Sequence, residues 1–236
     1  MSDNTHNHQK LELAATVTPM RNLSDTIEVL LLYRNPMIKF FGGNWVFPGG
    51  RVDAEDFDQA IDRDILQTSR FAAVREASEE ASLVIHPSSL IPLSHWTTPT
   101  GLSKRYSTWV FITELDDQNN PQMVHVDGKE ILDYQWLTPK HALQLHTKGQ
   151  LIIPPPVFVT LTMLSRFSKT SDAITQISQT KPILFHPRFH EVPNGWCSLY
   201  EEDIAYHGGD LYQNGHRHRL WMLSSGWHYE TRTAIR

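Results

Sequence analysis

Three glutamates follow an arginine at close spacing, in the order Arg75, Glu76, Glu79 and Glu80. On an α-helix, residues three or four positions apart share a face, so the three carboxylates would converge on one patch. Mutual repulsion opposes the ionisation of all three unless a hard dication supplies the countercharge. Because oxygen-only ligands favour Mg²⁺ or Mn²⁺ over zinc, the spacing predicts a site for one of these ions, with Arg75 offsetting part of the charge.

The apolar residues around the glutamates predict a helix over residues 69–84 that packs closely on a sheet. Its apolar face consists of Ala73, Ala77, Ala81 and Val84. Upstream, the aliphatic run at residues 26–33 predicts a buried strand that ends at Asn35-Pro36, and residues 45–47 predict a short strand leading into Pro48-Gly49-Gly50.

Further elements follow downstream. Strands are predicted over residues 106–113 and 131–136, and helices over 139–145, with Thr138 as N-cap, and over 157–167. A proline run at residues 152–156 interrupts regular structure before the last helix. Residues 182–236 are aromatic-rich and contain several turn signals, so short strands are expected there.

The order of these residues resembles the signature of the Nudix hydrolase family, G-x5-E-x7-R-E-U-x-E-E-x-G-U, in which U is a bulky aliphatic residue. Gly50 and residues 75–83 are similar to its two ends. The resemblance implies that Glu76, Glu79 and Glu80 bind the metal ion, with the carbonyl of Gly50 as an extra ligand. It also implies catalytic roles for Glu79 and Arg75 in the hydrolysis of a diphosphate linkage.

The chain departs from this signature at two informative places. Asp56 stands where the first glutamate is expected, and an insertion of about 11 residues separates it from Arg75. Asp53 and Glu55 are equally able to partner Arg75, so the choice among the three acids stays open. Ser82 occupies the usual glycine position, where a positive φ would cost serine about 1 kcal/mol.

Glu130 precedes a segment, Trp136-Leu-Thr-Pro139, that is similar to a downstream segment of the family. The resemblance implies that Glu130 assists catalysis, either as a metal ligand or as the base that activates water. The alternative is an exposed glutamate in a turn, and the two interpretations are left open.

The substrate is indicated by the strand that leads to the glycine turn. Arg34, Lys39 and Gly43, followed by Phe47-Pro48-Gly49-Gly50, resemble the signature of coenzyme A-type Nudix hydrolases, although Lys39 replaces an arginine and loses bidentate phosphate geometry. Arg105 is a further candidate for a phosphate contact. The resemblance therefore implies coenzyme A or acyl-coenzyme A as substrate, with 3′,5′-ADP and 4′-phosphopantetheine or its acyl form as products.

Two alternatives accompany this prediction. Pro99 lies close to where ADP-ribose-type members of the family carry a proline, which favours an ADP-ribose or nucleotide-sugar diphosphatase. A non-catalytic ligand sensor with the same fold is the third hypothesis, supported by Asp56, Ser82 and the insertion. The intact set of three glutamates argues against a sensor, which has no need for them.

Composition limits the partners. The 236 residues carry a formal charge of -5, which offers no broad cationic surface for nucleic acid. The single cysteine, Cys197, fits an intracellular compartment, and no run approaches the roughly 18 apolar residues of a membrane span. We therefore expect a cytoplasmic enzyme that acts on a small molecule. Homodimers are frequent in the family, so a homodimer is a further expectation.

The resemblance implies an α/β fold, the Nudix α/β/α sandwich with a mixed sheet, followed by a small β-rich C-terminal elaboration. We predict a disordered lead-in at residues 1–16, a Nudix domain at 17–168 and the elaboration, packed on the core, at 169–236. His216 and His218 form a His-x-His pair that raises the alternative of a zinc site, although no further ligands can be identified from the sequence.

Overall fold

The computed structural model describes residues 10–102, 104–115 and 124–232. A mixed sheet of eight strands forms the centre, in the order β3-β2-β1-β6-β5-β8, with β4 paired to β1 and β7 to β2. The first strands are β1 (Leu11–Leu23), β2 (Thr26–Arg34), β3 (Trp45–Val46) and β4 (Gly49–Arg51). The others are β5 (Ile91–Thr97), β6 (Arg105–Glu114), β7 (Ile131–Leu137) and β8 (Ile183–Phe185). Among the strands that the structure describes, the parallel pairs are β1 with β6 and β5 with β8.

Helices cover both faces of this sheet. They are α1 (Ala54–Gln59), α2 (Ile65–Ala81), α3 (Pro139–Thr147), α4 (Pro155–Leu164) and α5 (Thr170–Ser178). The helix α2 packs its alanines against alternate residues of β1 and β2, including Val17 and Leu30. The helices α3, α4 and α5 pack on the opposite face, against residues such as Met20 and Leu31. The predicted sandwich with a mixed sheet between helices is therefore confirmed.

The C-terminal part forms a separate antiparallel sheet, as the turn signals predict. Its strands, in spatial order, are β12 (Gly226–Arg232), β11 (Arg217–Leu223), β10 (Gly195–Leu199) and β9 (Arg188–Val192). Tyr200, Leu220 and Tyr229 share one hydrophobic cluster with α3, α4 and α5, and Phe185 of β8 joins it. The domain boundaries at residues 16 and 168 stay predictions, but this cluster packs the C-terminal sheet against the core.

One predicted segment is wrong in part. Residues 11–16 belong to β1 rather than to a disordered lead-in, because they pair with β6 from Leu11 opposite Arg105 onward. Ala14 and Ala15 are buried there. Residues 1–9, the rest of that predicted segment, lie outside the described residues. The long-range pairing that orders the strand is not visible in its local composition.

The glutamate helix is also shifted from its prediction. It begins at Ile65 and ends at Ala81, and the C-cap residue Ser82 adopts a left-handed conformation with φ 56°. Val84, expected on the apolar face, lies beyond the helix and is exposed. In the part of the chain that the structure describes, no helix combines the length and apolar character needed to span a membrane.

Candidate active site

The glycine turn and the glutamate helix meet at the N-terminal half of β1. The strand β4 pairs with β1 so that Gly49 lies opposite Thr16 and Gly50 opposite Ala15. Ala73 and Ala77 of α2 are fully buried against the sheet. Their small side chains allow a close approach, which brings the carboxylates of the helix to the backbone of β4.

Glu76 lies directly against Gly50. A Cβ atom at Gly50 would lie 2.4 Å from both Cδ and Oε1 of Glu76, so only glycine leaves room for the carboxylate. Burial raises the pKa of Glu76, and the charge of Arg75 opposes this shift. The predicted neighbours Gly50 and Glu76 are thus brought together.

Glu80 is the most buried acid of the three, with 5% of its surface exposed. The backbone N–H of Gly49 donates to Oε2 at 2.9 Å, and Nη1 of Arg34 donates to Oε1 at 3.3 Å. Burial raises the pKa of Glu80 to about 8, although both of these contacts lower it. Negative charge on this carboxylate is therefore unfavourable without further cationic compensation.

Among the three candidate acids, Asp56 makes the two-point contact with Arg75. Its Nε and Nη2 atoms donate to the two oxygens of Asp56 at 3.2 and 3.0 Å, and Asp56 is fully buried. Asp53 is 3.7 Å from Nη2, and its backbone N–H donates to Asp56 at 2.9 Å. Among the described contacts, Glu55 forms no ion pair with Arg75. Of the three acids, Asp56 is therefore the one that pairs most closely with Arg75.

The same guanidinium also connects two of the predicted metal ligands. Nη1 of Arg75 donates to Glu76 Oε1 at 3.0 Å and to Glu79 Oε2 at 3.1 Å, and Nη2 donates to the Arg51 carbonyl at 2.9 Å. Burial lowers the pKa of Arg75, but the hydrogen bond to Asp56 and the charge of Glu76 raise it above its usual value. A permanent cation thus lies among three acids.

Glu130 reaches the same cluster from the turn that precedes β7. The side chain of Asp127 accepts the backbone N–H groups of residues 129, 130 and 131, which fixes the turn before the strand. Glu130 Oε2 then accepts from Nη2 of Arg34 at 3.2 Å, with 59% of its side chain exposed. The exposed-turn interpretation and the catalytic one are both compatible with this position.

The three cations predicted to bind substrate have different environments. Arg34 bridges Glu80 and Glu130, contacts that the sequence analysis missed. Arg34 follows Leu30 and Leu32 at alternate positions of β2. Because these leucines face α2, the alternation could have predicted that Arg34 also faces this helix. Arg105 donates through Nε to the carbonyls of Thr98 and Pro99, each at 3.2 Å.

Lys39 differs from both arginines. It is exposed, and within the described residues it forms no hydrogen bond or ion pair. The substrate-binding roles of Arg34, Lys39 and Arg105 remain predictions.

The donor chemistry of the cluster fits a hard cation. Glu76 and Glu80 both lie against the Gly49-Gly50 backbone. Their side-chain atoms that could coordinate an ion are all carboxylate oxygens, which hard cations prefer. Across residues 10–102, 104–115 and 124–232, however, no three His, Cys, Asp or Glu side chains are arranged closely enough to hold an ion. Glu79, with 59% of its side chain exposed, would have to turn away from Arg75 to join the other two.

The histidine pair lies elsewhere, in the C-terminal sheet. His218 is buried, and its Nε2 pairs with the hydroxyl of Tyr229 at 2.9 Å. His216 Nδ1 faces the carbonyl of Glu202 at 2.7 Å. His218 is thus a core residue, and its described surroundings show no ligand set for zinc.

The sequence of the chain is similar to those of known proteins. The family model described as the NUDIX domain matches residues 10–154. The putative nudix hydrolase 7 of Caenorhabditis elegans is 26% identical over 176 residues, 60% of this chain and 57% of that protein. The acyl-coenzyme A diphosphatase NUDT19 of Homo sapiens is 32% identical over 81 residues, 34% of this chain and 21% of that protein.

The chain therefore spans only part of the length of these relatives. Among solved structures, a NUDIX hydrolase from Alicyclobacillus acidocaldarius superposes with a TM-score of 0.63 at 20% identity. The match covers 74% of this chain and all of that one. At this identity, the likeness concerns the fold.

Proposed function

Because the chain belongs to the Nudix family, we propose that it is a hydrolase that cleaves a diphosphate linkage in a small nucleoside diphosphate derivative. The arrangement around Arg75 is the observation that carries the proposal. One guanidinium holds Asp56, Glu76 and Glu79 together despite the insertion that separates the first acid from the other two. A sensor that only binds ligand would have no use for this costly group of acids.

Mg²⁺ or Mn²⁺ is the cofactor that this donor set suits. Glu76, Glu79 and Glu80 would hold it, with the carbonyl of Gly50 as an additional ligand. When bound, such an ion neutralises the diphosphate and lowers the pKa of a coordinated water.

The residues of the chain would then have distinct duties. Arg75 holds Glu76 and Glu79 in position, and Arg34 holds Glu80 and Glu130. Glu130, exposed to solvent, would accept the proton of the attacking water. The oxygen of that water joins one phosphorus, and the bridging P–O bond breaks.

Coenzyme A or acyl-coenzyme A is the proposed substrate. Support comes from the coenzyme A-type pattern of Arg34, Lys39 and Gly43 before the glycine turn, and from the name of the human relative. Hydrolysis would release 3′,5′-ADP and 4′-phosphopantetheine, or its acyl form with the thioester intact.

A substrate panel tests the proposal. Purified protein is incubated with Mg²⁺ or Mn²⁺ and coenzyme A, acyl-coenzyme A, ADP-ribose, NADH or a dinucleoside polyphosphate, and the products are resolved by chromatography. We expect 3′,5′-ADP from the first two substrates and none when Glu79→Gln replaces the wild type. Preferential turnover of ADP-ribose would reassign the substrate, and no turnover of any compound would favour the ligand sensor.

A further inference from the structure

Three aromatic rings cluster beside the candidate active site, two of them exposed and the third half-buried. Phe40 and Phe41, in the loop between β2 and β3, have ring centroids 4.2 Å apart, and the ring of Tyr106 on β6 lies 4.9 Å from Phe40. Phe40 is 39% exposed and Phe41 37% exposed. We call Phe40, Phe41 and Tyr106 the aromatic platform. A cluster of large apolar side chains that reaches the surface is more informative than a single exposed one.

The loop that carries the two phenylalanines is tightly constrained. Phe41 has φ 54°, a left-handed conformation that costs a non-glycine residue about 1–2 kcal/mol. Its carbonyl accepts the N–H of Asn44 at 3.1 Å, and a Cβ at Gly42 would lie 2.2 Å from the Ile38 carbonyl. Backbone strain that the surrounding contacts hold in place is often found at binding sites.

The aromatic platform is connected to the acidic cluster through one side chain. Nε of Arg34 donates to the carbonyl of Phe40 at 3.2 Å, while the two Nη atoms bind Glu80 and Glu130. A ligand held on the rings would therefore extend toward these carboxylates. The surface is continuous with the proposed site of hydrolysis.

Positive charge accompanies the rings. Lys39 directly precedes Phe40, Lys104 lies two residues before Tyr106, and both lysines are exposed. Flat aromatic faces stack on nucleobases of any sequence, and ammonium groups attract phosphate. An acyl chain would make use of the rings but not of the lysines.

We propose that the aromatic platform stacks on the base of the substrate's nucleoside, with Lys39 and Lys104 facing a phosphate outside the scissile linkage. This inference rests on the proposed function, because it assigns the nucleoside end of that substrate. It predicts a preference for nucleotides that carry an additional ribose phosphate.

Binding measurements test the stacking without relying on catalysis. The dissociation constant of 3′,5′-ADP is measured by calorimetry for the wild type and for Phe40→Leu, Phe41→Leu and Tyr106→Leu. Leucine keeps apolar volume but removes the ring, so each change on the platform should weaken binding about 5- to 100-fold. Phe189→Leu is the matched control, since Phe189 is 45% exposed on the C-terminal sheet, and its affinity should stay unchanged.

A second comparison tests the lysines. The ratio of the affinities for 3′,5′-ADP and AMP should fall about tenfold in the Lys39→Ala, Lys104→Ala double variant, with the affinity for AMP little changed. Unaltered affinities in all three ring variants would overturn the proposal, as would a wild type that does not bind 3′,5′-ADP.

Two further outcomes distinguish a platform that binds the acyl group from a failure of the proposed function. If the ring variants bind 3′,5′-ADP normally but raise KM more for longer acyl chains, the platform holds the acyl group and the inference is wrong. If the ring variants lose affinity for 3′,5′-ADP while no diphosphate is hydrolysed by the wild type, the base site stands and the proposed function fails.

Discussion

Arg75 and Asp56 form a two-point ion pair, with both carboxylate oxygens of Asp56 accepting from one guanidinium at 3.2 and 3.0 Å. Asp56 lies in α1, and the turn at Ile61–Arg63 leads the chain from the end of that helix to the start of α2, which carries Arg75. The insertion therefore extends the surface without separating the two ends of the acidic motif.

Asp56→Asn should destabilise the fold by about 3 kcal/mol, because it removes the buried charge that pairs with the partly buried guanidinium of Arg75. Urea denaturation measures the change in the free energy of unfolding. Asp53→Asn is the matched control and should cost less than about 1 kcal/mol, since Asp53 is exposed and more distant. A larger effect at Asp53 would contradict the assignment of Asp56.

Glu79→Gln should lower turnover about 100-fold or more while the fold stays intact. Glu79 is exposed and contacts only Arg75 among the described residues, so its loss removes a proposed metal ligand and little packing. Product formation at saturating Mg²⁺ and a thermal unfolding curve give the two readouts. Glu55→Gln, an exposed acid of α1, is the control and should retain full activity. Near-normal turnover in the Glu79 variant would refute the proposed metal site.

Ser82→Gly should be more stable than Ser82→Ala by about 1 kcal/mol. Ser82 has φ 56° at the end of α2, where glycine is unstrained and alanine is not. Both variants lose the hydrogen bond from the serine hydroxyl to the carbonyl of His125, so that contribution cancels between them. Equal midpoints of thermal unfolding would show that the backbone strain is absent.

His218 should make the protein acid-sensitive between about pH 6.5 and pH 4. Burial lowers the pKa of His218 to about 4, although the charges of Glu202 and Asp203 oppose the shift. The unfolded chain then binds a proton that the folded chain does not, so the free energy of unfolding falls as the pH is lowered through this window. Above pH 6.5 this dependence disappears. His218→Gln should flatten the slope measured by denaturation at several pH values, whereas His190→Gln, on the same sheet, should not.

Patterns that are local in the chain predicted much of the fold. The strands β2, β6 and β7 and the helices α3 and α4 lie within a few residues of their predicted bounds, because periodic burial is written into neighbouring residues. The approach of Glu76 to Gly50 was implied by the resemblance to the family signature, not by any local pattern of the chain. The helix α5 and the strand β5 carry weaker signals and were not predicted.

The sequence by itself determined which side chains have metal-binding chemistry, the helix that presents Glu76, Glu79 and Glu80, and the resemblance to a Nudix signature. Only the tertiary structure decided that Asp56 pairs with Arg75, that Arg34 joins Glu80 to Glu130, and that residues 11–16 form a strand. The physical reason is the range of the interactions. Helical periodicity acts over a few residues, whereas an ion pair or a strand partner depends on which distant segments folding places side by side.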